Sequence, residues 1–415
     1  MLRRQFWVLF HRYAGLAMAG FLLVAGLTGA CLAFYKPLDR WLAPRMYEAP
    51  ARGVVLDPFV LLEKAHAQLP GWRTDLMRLD LDEGQAVILY FELDQNQPTG
   101  QPRVSEHDEY AFDPVSGDLL ASRGPWGAVP TSLDGVMSFL YALHYKLALP
   151  GEIGLWLFGI VAVMWTVDCF VGVYLTFPRG RPFFVKWKPA WQVKTTAGAY
   201  RINFDLHRAG GLWFWLLLLV FAWSSVMMNL SEEVYTPVMK ALGFTFSDLA
   251  ERVPKRSTPL DTPVVTFRQA TETGRAAVQA RAVRDGFTFL RDDRVYYDRA
   301  HGLYHYRAFT SRDISDVYGG ANAVVDGASG ILIGTTLQAE TNGDWVSVWL
   351  SVLHTAAVWG TPYRVLVSLL GVTIAVLSVT GVVIWLRKRC VVASREQQRE
   401  EVAVLLAGKQ AEKAL

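Results

Sequence analysis

Residues 151–177 read GEIGLWLFGIVAVMWTVDCFVGVYLTF, with Glu152 at the edge and Asp168 the one charge inside. About 20 apolar residues cross a bilayer as a helix, so this stretch predicts a membrane span. Three further segments share its character: about His11 to Tyr35, about Leu206 to Leu230 and about Pro362 to Leu386. The composition agrees. Hydrophobic residues fill 52% of 415 positions and charged residues 19%, and mean hydropathy is +0.20. Disordered chains are poor in apolar residues, so that class is excluded. A net charge of +3 leaves no electrostatic footprint for nucleic acid. The 15 Trp, 16 Tyr and 22 Phe suit aromatic belts at a membrane surface. Three cysteines cannot build a disulfide framework.

Basic residues beside spans mark the cytoplasmic side. They gather at Arg3, Arg4 and Arg12, then at Arg179, Arg181, Lys186, Lys188, Lys194 and Arg201, then at Arg387, Lys388 and Arg389. Both termini and the short connector are therefore expected in the cytoplasm, and the two long loops on the other side. Arg3 and Arg4 resemble the start of a signal peptide, but the apolar stretch behind them is long, so the first span is expected to be retained. Cys31 reads as a small residue at a helix end.

Each long loop reads as a small α+β module. In the first, Pro58–Leu69 has helical spacing, and Ala86–Leu93 and His107–Phe112 read as strands. In the second, Thr266–Arg281 reads as helix, and Val295–Asp298, Leu303–Phe309 and Ile331–Ile333 as strands. Asp113-Pro114-Val115-Ser116-Gly117-Asp118 and Asp326-Gly327-Ala328-Ser329-Gly330 are turns of one kind. The fold class expected is a membrane α-helical four-helix bundle with two α+β modules outside the cytoplasm.

The chain also repeats itself. His11-Arg12-Tyr13-Ala14-Gly15-Leu16 opens the first span, and His207-Arg208-Ala209-Gly210-Gly211-Leu212 the third. Leu143-His144 precedes the second span, and Leu353-His354 the fourth. The second and fourth spans end alike, at Gly172-Val173-Tyr174-Leu175 and Gly381-Val382-Val383-Ile384. The unit is span–loop–span, used twice in parallel. Parallel repeats are related by an axis along the membrane normal, so equivalent residues face each other at one depth.

Four of the eight histidines, His11, His144, His207 and His354, occupy equivalent span ends. Alone, each would be an interfacial residue. In register, they become candidates for a functional set. A structural zinc site would gather all four at one depth. Here a span separates two levels, about 37 Å for about 25 residues. Two imidazoles sharing one metal need nitrogens about 4 Å apart, which leaves His11 with His207 and His144 with His354. Two such pairs across an apolar bundle suit two b-type haems, bound without a Cys-x-x-Cys-His attachment. Arg12 and Arg208 could meet haem propionates or merely anchor the cytoplasmic side. Gly15, Gly20, Gly26, Gly210 and Gly211 could let a ring approach the backbone. Asp168 could hold an imidazole or an Arg, or stay protonated. Trp165, Trp213, Trp215 and Trp223 are candidates for bridging two haems or for packing. His66 and His107 read as surface residues. His301 and His305 would share a strand face, with a surface position the plainer expectation and contact with an iron chelate the alternative.

These motifs resemble the PepSY-associated transmembrane-helix family of iron-regulated bacterial inner-membrane proteins. The likeness rests on the His-Arg and Leu-His pairs, the ending Thr380-Gly381-Val382-Val383-Ile384-Trp385-Leu386-Arg387, and the turns at Phe112–Gly117 and Val325–Gly330. It covers nearly the whole chain. Within the family, ferrisiderophore reductases of the FoxB kind, which act on ferrioxamine, are the nearest likeness. Phe177-Pro178-Arg179 departs from the Trp-rich ending usual at the second span. The resemblance implies two haems and electron delivery to a periplasmic ferric siderophore. The division would be 1–35 first span, 36–149 first PepSY-like module with an interfacial helix, 150–177 second span and 178–203 basic connector. There would follow 204–230 third span, 231–361 second module, 362–387 fourth span and 388–415 cytoplasmic tail.

The reading is then a ferric-siderophore reductase fed by a cytoplasmic or quinone donor. No G-x-G-x-x-G fingerprint precedes a helix, so no nucleotide domain is expected within the chain. A rival is a siderophore or haem transporter, which broken helices and polar cavity residues would favour. A second rival is a non-catalytic PepSY protein that binds or restrains a partner.

Overall fold

The computed structural model describes residues 2–93, 108–247 and 253–413. Its helices, in chain order, are α1 (Leu2–Leu32), α2 (Tyr35–Leu42), α3 (Pro58–Gln68), α4 (Val136–Lys146), α5 (Ile153–Thr176) and α6 (Phe183–Trp187). They continue as α7 (Ala199–Trp213), α8 (Trp215–Asn229), α9 (Thr236–Ala241), α10 (Phe267–Asp285), α11 (Asn342–His354) and α12 (Gly360–Lys413). The strands are β1 (Trp72–Arg73), β2 (Leu76–Arg78), β3 (Val87–Tyr90), β4 (Glu92–Leu93), β5 (Glu109–Phe112) and β6 (Leu119–Arg123). After them come β7 (Phe289–Asp298), β8 (Leu303–Thr310), β9 (Ala321–Asp326) and β10 (Leu332–Thr336). Two compact units form. One comprises Met1–Ala30, Phe158–Ser225 and Leu369–Leu415, and the other Cys31–Leu157 and Val226–Ser368.

The first unit is helical. Arg4–Leu32, Ile153–Thr176 and Gly360–Cys390 are each long and apolar enough to cross a membrane. The first of these helices begins well before His11, because Phe6 to Phe10 extend the apolar run. Small residues bring α1 and α12 close together: a Cβ on Gly26 would lie 2.6 Å from the Gly371 carbonyl. Ala14, Met18 and Val161 are buried between α1 and α5. The Arg4 guanidinium donates to the carbonyls of Leu175 (2.7 Å) and Phe177 (3.1 Å), capping the end of α5.

The third apolar segment is not the straight span its hydropathy predicts. It is two 15-residue helices, α7 and α8, bent 70° at Phe214. Each alone is about 22 Å long, short of a hydrocarbon core of about 30 Å. Glycines are common at kinks, and Gly210 and Gly211 lie just before the bend. The indoles on either side are fastened to different segments. Trp213 donates to the Trp191 carbonyl (3.0 Å) and Trp215 to the Cys169 carbonyl (2.9 Å).

In the second unit, the two loops do not make separate modules. The five-stranded sheet has the order β10-β9-β8-β7-β2, so the second loop's sheet ends on a strand from the first. Leu76, Met77 and Arg78 pair antiparallel with Tyr296, Val295 and Arg294. One core joins both: Phe59, Leu61, Met77, Leu89 and Phe112 pack with Val295, Tyr304 and Val325. The helix α10, capped by a reciprocal Thr266–Gln269 box, covers one sheet face through Val278, against Tyr306 and Ala323. Both expected turns form, with the Asp113 and Asp326 carboxylates each accepting two backbone N–H bonds. A buried ion cluster ties α2 to the sheet β3-β5-β6: Arg123 donates to Asp39 (2.8 Å) and to Glu109 (2.8 Å). Beyond it α4 leads to α5, and α11 leads to α12.

Candidate functional site

Three of the expected residues come together in the helical unit. His11 projects from α1 and His207 from α7, and their ring centres lie 6.1 Å apart. Each ring is held by its Nδ1. The Asp168 carboxylate on α5 sits 2.9 and 3.0 Å from Nδ1 of His11. A carboxylate accepts, so this nitrogen donates. Nδ1 of His207 donates to the Leu377 carbonyl (3.0 Å) and lies 3.1 Å from Thr380 Oγ1. Each partner takes Nδ1, so Nε2 is the ring nitrogen left to meet a metal. A metal-binding histidine almost always donates its other N–H to a carboxylate or carbonyl.

The spacing can be tested against the chemistry. Each imidazole–metal bond is about 2 Å, and a ring centre lies about 1 Å beyond its nitrogen, so two imidazoles on opposite sides of one ion have centres about 6 Å apart. The pair His11–His207 has that separation. A cavity of about 410 Å³ adjoins it, within the range of about 300–1,000 Å³ common for small-molecule sites. Its walls include Arg12, Gly15, Trp165, Arg208, Gly211 and Trp215. A Cβ on Gly15 or Gly211 would meet nothing within 4 Å, so these two glycines open the walls.

The repeat glycines at the ends of α5 and within α12 also have a use. A Cβ on Gly172 would lie 3.8 Å from Cε1 of His11, and one on Gly381 would lie 3.1 Å from Cε1 of His207. Each half's first histidine packs on its own second-helix glycine.

Other expectations change. Gly26 serves helix packing against α12, and Gly210 faces Leu377. Trp213 is half exposed and bonded to Trp191, while Trp165 and Trp215 line the cavity. Arg208 lines the cavity but spends part of its guanidinium on Asp205 (2.7 Å) and the Pro189 carbonyl (2.8 Å). Its Nε is buried and has no hydrogen-bond partner among the described residues.

The second pair lies in the other unit. His144 and His354 have ring centres 6.2 Å apart, the same separation as the first pair. Both occupy the last turn of a short helix, α4 and α11, as the sequence predicts. The helix α4 stops two residues after His144 because Leu147 adopts the left-handed conformation (φ 55°) and its N–H returns to the Leu143 carbonyl. Burial first, and the neighbouring His144 second, push the His354 imidazole down to about 3. At neutral pH this imidazole is uncharged.

Of the remaining histidines, His66 is half-buried with its ring on Phe91 rather than at the surface. His107 lies outside the described residues. His301 sits in the turn before β8, not on the strand, so it does not share a face with His305. It bonds Asp298 (2.6 Å), while His305 stacks on Tyr296. Among the described residues no group of three or more His, Cys, Asp or Glu could hold a metal ion.

Sequence reasoning reached the histidines, Asp168 and both repeat glycines. It missed the Leu377 carbonyl and Thr380. A carbonyl has no residue signature, and Thr380 was visible only as part of a span ending. A family model described as the PepSY-associated TM region matches residues 8–388. No curated protein matches the chain.

Proposed function

The chain belongs to the PepSY-associated transmembrane family, and from that premise we propose that it is a di-haem electron carrier of the bacterial inner membrane. It would reduce ferric iron in periplasmic siderophores. In this reading His11 and His207 hold one b-type haem and His144 and His354 the other. The observation that carries it is the equal 6.1 and 6.2 Å spacing of the two imidazole pairs.

A b-type haem held by either histidine pair would supply one-electron transfer. The protein's own residues supply the rest. Asp168 orients His11 and raises its basicity, while the Leu377 carbonyl does the same more weakly for His207. Gly15 and Gly211 clear space for a flat ring. Arg12 and Arg208 stand on the same cavity wall, where guanidinium suits carboxylate. Hard hydroxamate oxygens favour ferric iron, so a one-electron reduction loosens the metal without consuming the chelator. A cytoplasmic protein or a quinone supplies that electron.

The bent α7–α8 pair is the one observation that favours a transporter, since broken helices build transport sites. An absorption spectrum of the purified protein separates the two. Reduced low-spin b-type bands at two haems per chain support the carrier, and a colourless protein rejects it. His144→Ala and His207→Ala should each remove one haem and stop ferric reduction. Unchanged haem content in either variant would contradict that pair's assignment.

A further inference from the structure

The five-stranded sheet has a face that α10 does not cover. On it, Arg78 of β2 stands opposite Arg294 of β7, and Arg294 stands opposite Arg307 of β8. Directly opposed residues of antiparallel strands point to the same side, and like charges there repel. Three arginines in one row across three strands are therefore a cost that packing does not require. Burial first, then the charges of Arg78 and Arg294, holds the Lys36 ammonium below the usual lysine range, with Asp80 opposing them. Among the described residues two carboxylates bond the row directly. Asp80 accepts from Arg78 (2.8 Å) and Asp293 from Arg294 (3.0 Å). Asp298, the other acid near this face, is taken by His301.

The same face carries unmet hydrogen-bonding capacity. Arg307 Nε is buried and has no hydrogen-bond partner among the described residues, and beside it the His305 ring and the Asn322 amide face each other. Asn322 is opposite Arg307, and His305 lies two residues from it on the strand. His305 stacks on Tyr296 at 4.6 Å and 5°, giving the face a flat aromatic wall. Buried polar atoms without partners are uncommon and ask for a ligand or ordered water. Arginine and imidazole N–H groups donate, and an Asn amide can turn its nitrogen outward, so all three suit an acceptor-rich anion.

We propose that this arginine row, with Lys36, His305 and Asn322, is the docking site for the ferric chelate, and that it selects chelates of net negative charge over neutral or cationic ones. The inference rests on the reductase reading for the ligand being a ferric chelate, and it names the class. Carboxylate-bearing or catecholate complexes fit the charge, whereas cationic amine-bearing trihydroxamates do not.

The test is equilibrium dialysis of the full-length protein in phosphatidylcholine nanodiscs, with radio-iron as anionic ferric citrate or as a cationic amine-bearing ferric trihydroxamate. Ferric citrate should bind about tenfold more tightly or better, and added salt should weaken it, because charge-assisted contacts are screened. Arg294→Gln with Arg307→Gln should remove the preference, while Arg294→Lys with Arg307→Lys should keep most of it. Equal binding of the two chelates, or full affinity in the Gln pair, overturns the proposal. Loss of citrate binding when phosphatidylglycerol replaces phosphatidylcholine assigns the face to lipid headgroups and also overturns it. Binding is read without electron transfer, so anionic selectivity in a protein that carries no haem would defeat the reductase reading alone.

Discussion

Asp168 is the costliest residue in the membrane-spanning region, and its contact with His11 gives the cost a purpose. A carboxylate on the far nitrogen makes an imidazole a stronger donor and favours ferric over ferrous iron. If His11 and His207 hold the proposed haem, Asp168→Asn should raise its midpoint potential by about 60 mV, the equivalent of a tenfold change for one electron. Redox titration followed at the haem bands checks this, and an unchanged potential would leave Asp168 a structural role only. The glycines make an uneven prediction. Ala at 381 must displace the His207 ring by tenths of an ångström, whereas Ala at 172 makes ordinary contact with His11. Gly381→Ala should shift the spectrum of the first site, and Gly172→Ala should leave it unchanged. At this scale much was legible. Histidines recurring at fixed offsets in two halves are visible without coordinates, but the partner of His207 is a backbone oxygen, which no side chain announces.

Among the elements, β2 was the least legible. It has three residues, too few for an alternating pattern, and its partner lies more than 200 positions along the chain. Its middle residue, Met77, is wholly buried. Met77→Ala should cost about 2–5 kcal/mol and lower the melting temperature of both loops together. Two separate calorimetric transitions would instead show independent modules. The longer elements were readable because their signals are local. The helix α10 starts at a capping residue, and both Asp-initiated turns carry their own hydrogen bonds. The bend at Phe214 was not, since hydropathy is blind to direction. The ion cluster on α2 also escaped the sequence, because Asp39, Glu109 and Arg123 look like surface residues until folding buries them. Arg123→Met would strand two carboxylates in the interior and should cost about 3–5 kcal/mol. Denaturant unfolding measures it, and a loss under about 1 kcal/mol would mean that water reaches the cluster.

For the molecule as a whole, the basic connector between the second and third spans is expected on the cytoplasmic side. Reporter fusions after Arg201 and after Arg389 should both be active in the cytoplasm, and fusions within 231–361 should be active outside it. A fusion after Arg201 that is active outside would invert the topology and exchange the roles of the two histidine pairs. Duplication, unlike the bend or the shared sheet, could be read directly from residue spacing, because repeated motifs survive where long-range pairing leaves no trace.

Each repeat gives one imidazole to each pair, and the first also lends its strand to the second's sheet. Neither half therefore owns a complete site. A chain severed inside residues 178–203 should yield two fragments that are inert apart and regain colour when synthesised together, as an obligate heterodimer would. An ancestral single-copy gene would have had to work as a twofold homodimer, and fusion then freed each copy to specialise.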